Sequence, residues 1–96
     1  MDELTDVIVS NYNNWVISFM KFVSIKVIIT GCKEFKNESD IKKEIYAQGN
    51  KCLRYIAKFK EYMSEQSYKS CVDFTTQMCD DTLHTIIKTF YNEGVY

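Results

Sequence analysis

The stretch IKKEIYAQGNKCLRYIAKFKEYM, residues 41–63, has the most regular helical pattern in the chain. Its apolar side chains recur every three or four residues, which is the spacing of one face of an α-helix. The members of this stripe are Ile41, Ile45, Cys52, Ile56, Phe59 and Met63. Gly49 falls in the same stripe, and a glycine inside a helix costs about 1 kcal/mol relative to alanine. We therefore expect another backbone or side chain to approach Gly49 closely. At the start of this helix, we expect Asn37 or Ser39 to act as the cap.

The most apolar segment precedes this helix and reads WVISFMKFVSIKVIITG, residues 15–31. It predicts a helix that is apolar on most of its circumference, lies buried at the centre of the fold and ends at Gly31. Residues 23–29 alternate β-branched side chains and would also suit a strand, but the chain offers no second strand to pair with them. Lys21 and Lys26 interrupt the segment, and a helix of this length rises only about 26 Å, so we expect no membrane span.

The remaining segments predict shorter helices. A first amphipathic helix is expected before a break at three asparagines, Asn11, Asn13 and Asn14. After the core helix, the polar run 64–67 interrupts the pattern, and another helical face follows over 68–79. The run 80–82, Asp-Asp-Thr, is typical of a helix cap and predicts a last helix that ends near Gly94.

Length and composition agree with a small helical protein. The chain has 96 residues, no proline and only three glycines, and 46% of its residues are hydrophobic. This length suits one domain, 1–96, and the scarcity of turn residues disfavours a sandwich or barrel. We predict an all-α fold, a small bundle of four to five helices around an apolar central helix. A core of this size needs reinforcement by disulfides or by a partner, and a homo-oligomer is one such solution.

The charged and polar residues do not indicate catalysis. A net charge of −1 removes the usual electrostatic reason to expect a nucleic acid as ligand. His84 is the only histidine, and Cys79, five residues before it, lies on a different face of a continuous helix. The cysteines also lack the Cys-x-x-Cys spacing that is typical of metal sites. We therefore predict no enzyme, no metal and no cofactor.

The chain has four cysteines, Cys32, Cys52, Cys71 and Cys79. They leave two interpretations open. They are either reduced, partly buried thiols of a cytoplasmic protein or the partners of one or two disulfides in a secreted protein. The chain begins Met-Asp-Glu-Leu, with acidic residues where a secretory leader would have a basic region, which favours the cytoplasm.

Two segments resemble the Bcl-2 family. Asn14-Trp15 before an apolar helix is similar to the BH1 segment, in which Asn-Trp-Gly-Arg starts the central helix. The run 58–68, KFKEYMSEQSY, is similar to the BH2 segment of divergent viral homologues. The chain departs from the family at Val16 and Ile17, which replace the Gly-Arg pair. It also departs at Ser67 and Tyr68, which replace the glycine pair of BH2. The resemblance is therefore to a divergent or truncated viral Bcl-2-like protein.

This resemblance implies an interaction protein of the host cell cytoplasm that modulates cell death or innate signalling by binding a partner helix. The resemblance and the aromatic content together assign partner binding to six residues, Asn14, Trp15, Phe19, Tyr62, Met63 and Tyr68. The alternative is a secreted, disulfide-stapled helical effector or carrier of a small apolar ligand.

Overall fold

The described residues fold as three α-helices in an up-down-up arrangement. The computed structural model describes residues 3–34, of which 31–34 by backbone alone, and residues 37–89. Helix α1 spans Glu3–Glu34, α2 spans Glu38–Ala57 and α3 spans Glu65–Ile87, with a single 3₁₀ turn at Lys60–Tyr62. These described residues contain no strand. The all-α class is confirmed, and residues 23–29 are helical.

The number of helices and the position of the apolar helix differ from the prediction. Within residues 3–34 and 37–89, three α-helices replace the expected four to five. Helix α3 packs extensively against both others, whereas α1 and α2 touch each other less. The Trp15 and Tyr55 rings, 5.1 Å apart, join α1 to the antiparallel α2, and Tyr12 joins α1 to Thr75 of the parallel α3. The long dimension of 49 Å is that of α1, because 32 helical residues rise about 48 Å.

Two expected breaks are absent because buried stripes run through them. Asn11, Asn13 and Asn14 lie inside α1, where Tyr12 and Val16 are buried on the face toward the core. The expected cap over 80–82 lies inside α3, whose stripe Cys79, Thr82 and Ile86 is buried. Asparagine and aspartate cost less than about 1 kcal/mol each in a helix interior, and burial of the flanking side chains offsets this cost.

Helix α1 is apolar on two faces, and only one of them is buried. Val16, Met20, Val23 and Val27 form the buried face. Large side chains on the opposite side are exposed, so the expectation of a buried central helix is wrong. The helix also continues past Gly31 to Glu34. The closure expected near Gly94 lies outside the described residues.

Helix α2 confirms most of the stripe read from the sequence. Its buried residues are Ile41, Ile45, Gly49, Cys52 and Ile56. Asn37 caps it by accepting a hydrogen bond from the backbone N–H of Asp40 at 3.0 Å. The helix ends at Ala57, earlier than expected, and Phe59 and Met63 pack against the core from the connection that follows.

The close approach expected at Gly49 is also confirmed. A methyl group built on Gly49 would overlap the Sγ of Cys79, so the absent side chain lets α3 approach α2. Within the described part of the chain, none of the helices combines the length and the apolar character needed to cross a membrane.

Candidate functional site

An apolar groove lies between the N-terminal half of α1 and the C-terminal end of α2. Its volume is about 350 Å³. The lining residues come from one face of each helix and the residues just after α2, and they are Val7, Ile8, Asn11, Tyr12, Trp15, Tyr55, Ile56 and Phe59. Because α1 and α2 run antiparallel, Trp15 of α1 meets Tyr55 and Phe59, which are distant from it in the sequence, at this groove.

The groove has an aromatic wall. The Tyr55 ring lies 5.1 Å from that of Trp15 and 5.5 Å from that of Phe59, both in tilted or edge-to-face geometry. Phe19 stacks on Trp15 with the two ring centres 5.3 Å apart. Such contacts add about 0.5–1.5 kcal/mol per pair and fix the rings in place. Trp15 keeps 39% of its surface exposed and Tyr55 keeps 45%, so the fixed rings still present apolar area to a ligand.

The floor of the groove is anchored to α3. The buried hydroxyls of Tyr12 and Thr75 are 2.5 Å apart, and Thr75 donates its only proton to the Cys71 carbonyl at 2.8 Å. Tyr12 therefore donates to Thr75, and burial raises the pKa of Tyr12 to about 12. The Tyr12 hydroxyl is thus occupied inside the fold, and the exposed Asn11 is the polar residue that lines the groove.

The structure brings only part of the predicted partner-binding set to this groove. Trp15 lines it and Phe19 stacks behind Trp15, while Asn14 is exposed beside it without lining it. Tyr62 is exposed in the 3₁₀ turn, and Met63 packs against the core.

Tyr68 also lies away from the groove, on the first turn of α3. It packs against the core, and Lys60 Nζ lies 5.3 Å from the centre of its ring. Of the eight lining residues, sequence reasoning identified only Trp15. The seven that it missed as groove residues are Val7, Ile8, Asn11, Tyr12, Tyr55, Ile56 and Phe59. The spacing of Tyr55 and Phe59, four residues apart at the end of the core stripe, is the signal that could have found the aromatic wall.

The described cysteines are buried, free thiols. Cys52, Cys71 and Cys79 form no disulfide with one another, and the Cys32 side chain lies outside the described residues. Burial raises the pKa of Cys52 and of Cys79 to about 11, and it also raises the pKa of Cys71. A thiol with such a pKa is almost entirely protonated at neutral pH and is a weak nucleophile.

Two further polar side chains of the described helices are His84 and Tyr46. His84 is exposed near the end of α3. Tyr46 donates a hydrogen bond to Asp80, and this bond raises the pKa of Tyr46 to about 12. Among the residues that the structure describes, no three His, Cys, Asp or Glu side chains are grouped so that they could hold a metal ion.

Comparison with known proteins gives no relative. No family model, no curated protein and no solved structure matches the chain.

Proposed function

We propose that the protein is a non-enzymatic interaction protein that binds an amphipathic helix of a protein partner in the groove between α1 and α2. The observation that carries this proposal is the aromatic wall of Trp15, Tyr55 and Phe59, which is fixed by ring contacts and remains open at the surface. Aromatic side chains in such pockets supply a large share of the binding energy at protein interfaces.

The shape and lining of the groove suit the apolar face of a helix. A volume of about 350 Å³ is at the lower end of ordinary binding pockets, which matches a few aliphatic side chains rather than a large ligand. A helix presents such side chains at positions i, i+3 or i+4 and i+7. The Asn11 side chain at the rim offers a hydrogen bond to a polar group on the partner. The raised pKa of the buried thiols supports a role without nucleophilic catalysis.

The resemblance to Bcl-2 segments narrows the proposal to a viral modulator of host cell death or innate signalling that acts in the host cytoplasm. Trp15, one of the two residues that carry the BH1 resemblance, lines the groove. It lies in the interior of α1 rather than at a helix start, and Val16 replaces the family's glycine. The partner helix therefore need not be a BH3 helix, although BH3-type peptides are the first probes to use.

The proposal is tested by titrating fluorescently labelled BH3-type peptides and measuring their anisotropy. We expect micromolar binding that Val7→Glu weakens at least about tenfold, because a carboxylate at the groove has to be desolvated by the apolar face of the peptide. Ile28→Glu is the matched control, since Ile28 is exposed to a similar degree, 40% against 49% for Val7, and lies outside the groove.

Each negative outcome has its own meaning. If no peptide binds at tens of micromolar, the Bcl-2-like version is wrong. If Val7→Glu and Ile28→Glu bind a peptide equally well, the groove is not the binding site.

A small apolar ligand is the second candidate occupant, because the volume of the groove also falls within the range of small-molecule sites. A carrier would bind a small apolar fluorescent dye in the groove and would lose it on Val7→Glu, while helical peptides would fail to displace it.

A further inference from the structure

Helix α1 presents a second apolar surface, here called the outer face, which consists of Phe22, Ile25 and Ile29. Their exposed fractions are 65%, 58% and 73%. They are spaced three, four and seven residues apart, so they lie on one side of the helix, while Val23 and Val27 are buried on the other side. Three neighbouring apolar side chains exposed to this extent are typical of a surface that contacts another molecule.

Along α1 the charge beside the outer face is positive, while Asp81 of α3 lines the same shallow pocket as Lys21. Lys21 and Lys26 are exposed and flank the outer face, one on each side of it. The stretch 7–33 contains three lysines and no aspartate or glutamate. Three of the protein's twelve basic residues therefore lie in this stretch of α1, with no acidic residue among them, beside its most exposed apolar side chains. This arrangement is complementary to an anionic surface.

The same charges disfavour a second copy of the chain as the occupant. If Phe22, Ile25 and Ile29 formed a two-helix seam, they would take the a and d positions of a heptad, with Lys21 at g and Lys26 at e. A parallel pair would place Lys21 opposite Lys26 of the other copy, and an antiparallel pair would place each lysine opposite itself. Every such arrangement brings like charges together.

We propose that the outer face docks α1 on the surface of an anionic lipid bilayer. The helix would lie flat in the headgroup region, with Phe22, Ile25 and Ile29 inserted among the acyl chains and Lys21 and Lys26 reaching toward anionic headgroups. Interfacial helices combine these two contributions, apolar burial and attraction to anionic lipids. A planar membrane accepts a convex ridge without a complementary groove. This docking is separate from the helix-binding groove, which uses the other half of α1.

Co-sedimentation of the full chain with vesicles tests the proposal. Vesicles of phosphatidylcholine that contain about 30 mol% phosphatidylserine, an anionic lipid of cytoplasmic leaflets, are compared with vesicles of pure phosphatidylcholine. We expect the partition coefficient to be at least about tenfold higher for the anionic vesicles, and to fall about tenfold for Lys21→Gln/Lys26→Gln, because each lysine near such a surface contributes to attraction. Equal binding to both kinds of vesicle, or none to either, overturns the proposal.

A matched pair of variants locates the contact on the outer face. Ile25→Ser removes an outer-face side chain that is 58% exposed, and Leu4→Ser removes a side chain of α1 that is 55% exposed but lies beside Glu3 and Asp6. We expect Ile25→Ser to reduce binding severalfold and Leu4→Ser to leave it unchanged. Circular dichroism checks that both variants fold. Equal losses for the two variants overturn the assignment.

The triple variant Phe22→Ser/Ile25→Ser/Ile29→Ser separates a membrane from a second copy. Light scattering of the unmodified protein in the absence of lipid is expected to give the mass of one chain. A dimer mass that this variant reduces to one chain would show that a second copy covers the outer face, and it would overturn the proposal.

Discussion

Replacing Gly49 by alanine tests how closely α2 and α3 pack. Gly49 and Cys79 are both buried, and an added Cβ would overlap the Cys79 Sγ. Alanine gains about 1 kcal/mol of helix propensity over glycine. Overpacking costs about 1–3 kcal/mol, and the upper part of this range applies because a whole atom has to be displaced inside the interface. We therefore expect Gly49→Ala to lower the free energy of unfolding by about 1–2 kcal/mol.

A double-mutant cycle with Cys79→Ala tests whether overlap with the Cys79 sulfur causes this loss of stability. The double variant keeps the helix propensity of alanine and removes the overlapping sulfur, so the volume lost at one position is partly returned at the other. Cys79→Ala alone leaves a small cavity between the helices, which also destabilises. We expect the double variant to be more stable than Gly49→Ala.

Urea denaturation followed by circular dichroism measures these free energies, and thermal denaturation gives an independent value. For a domain of this size, 1 kcal/mol corresponds to a shift in Tm of about 4–8 °C. Helix propensity alone predicts that Gly49→Ala is stabilised by about 1 kcal/mol. If this variant is stabilised by that amount, or is as stable as the unmodified protein, the close approach of α3 at Gly49 is refuted.

Other predictions concern the interior, the helix ends and the effect of pH. Tyr12→Phe removes the buried hydrogen bond to Thr75 and should lower the free energy of unfolding by about 1 kcal/mol. Adding Thr75→Val should lower the free energy of unfolding less in the Tyr12→Phe variant than in the unmodified protein, because the shared bond is already lost. Denaturant titration of the single and double variants measures this coupling, and additive losses would contradict it. Asn37→Ala removes the cap of α2 and should cost about 1 kcal/mol, whereas Asn37→Ser should retain most of the stability in the same titration. Burial raises the pKa of Cys52 and Cys79 from 9.0 to about 11, so stability should be constant up to pH 9 and fall as the pH rises toward 11, because the unfolded chain loses these protons first. Unfolding at a series of alkaline pH values checks the sign, and stability that rises above pH 9 would contradict it.

Local signals in the sequence predicted the features that depend on neighbouring residues. The stripe from Ile41 to Ile56 fixes the buried face of α2, and Asn37 has the residue type and the position of a helix cap. Gly49 in that stripe indicated close packing, which Cys79 supplies. The aromatic groove was only partly predicted. Trp15 was identified from a resemblance, but its contact with Tyr55 joins residues 40 positions apart that are brought together by the antiparallel course of α1 and α2.

The sequence by itself determined that the chain is helical and which face of α2 is buried, because periodic spacing and capping are local properties. Only the tertiary structure decided where the helices continue and which apolar face of α1 is covered. Asparagine at position 13 and aspartate at position 80 are each less favourable in a helix than alanine by less than about 1 kcal/mol. The burial of adjacent stripes overrides this cost. The two faces of α1 around Val23 and Ile25 have similar apolar character, and the position of α3 selects the face that becomes core.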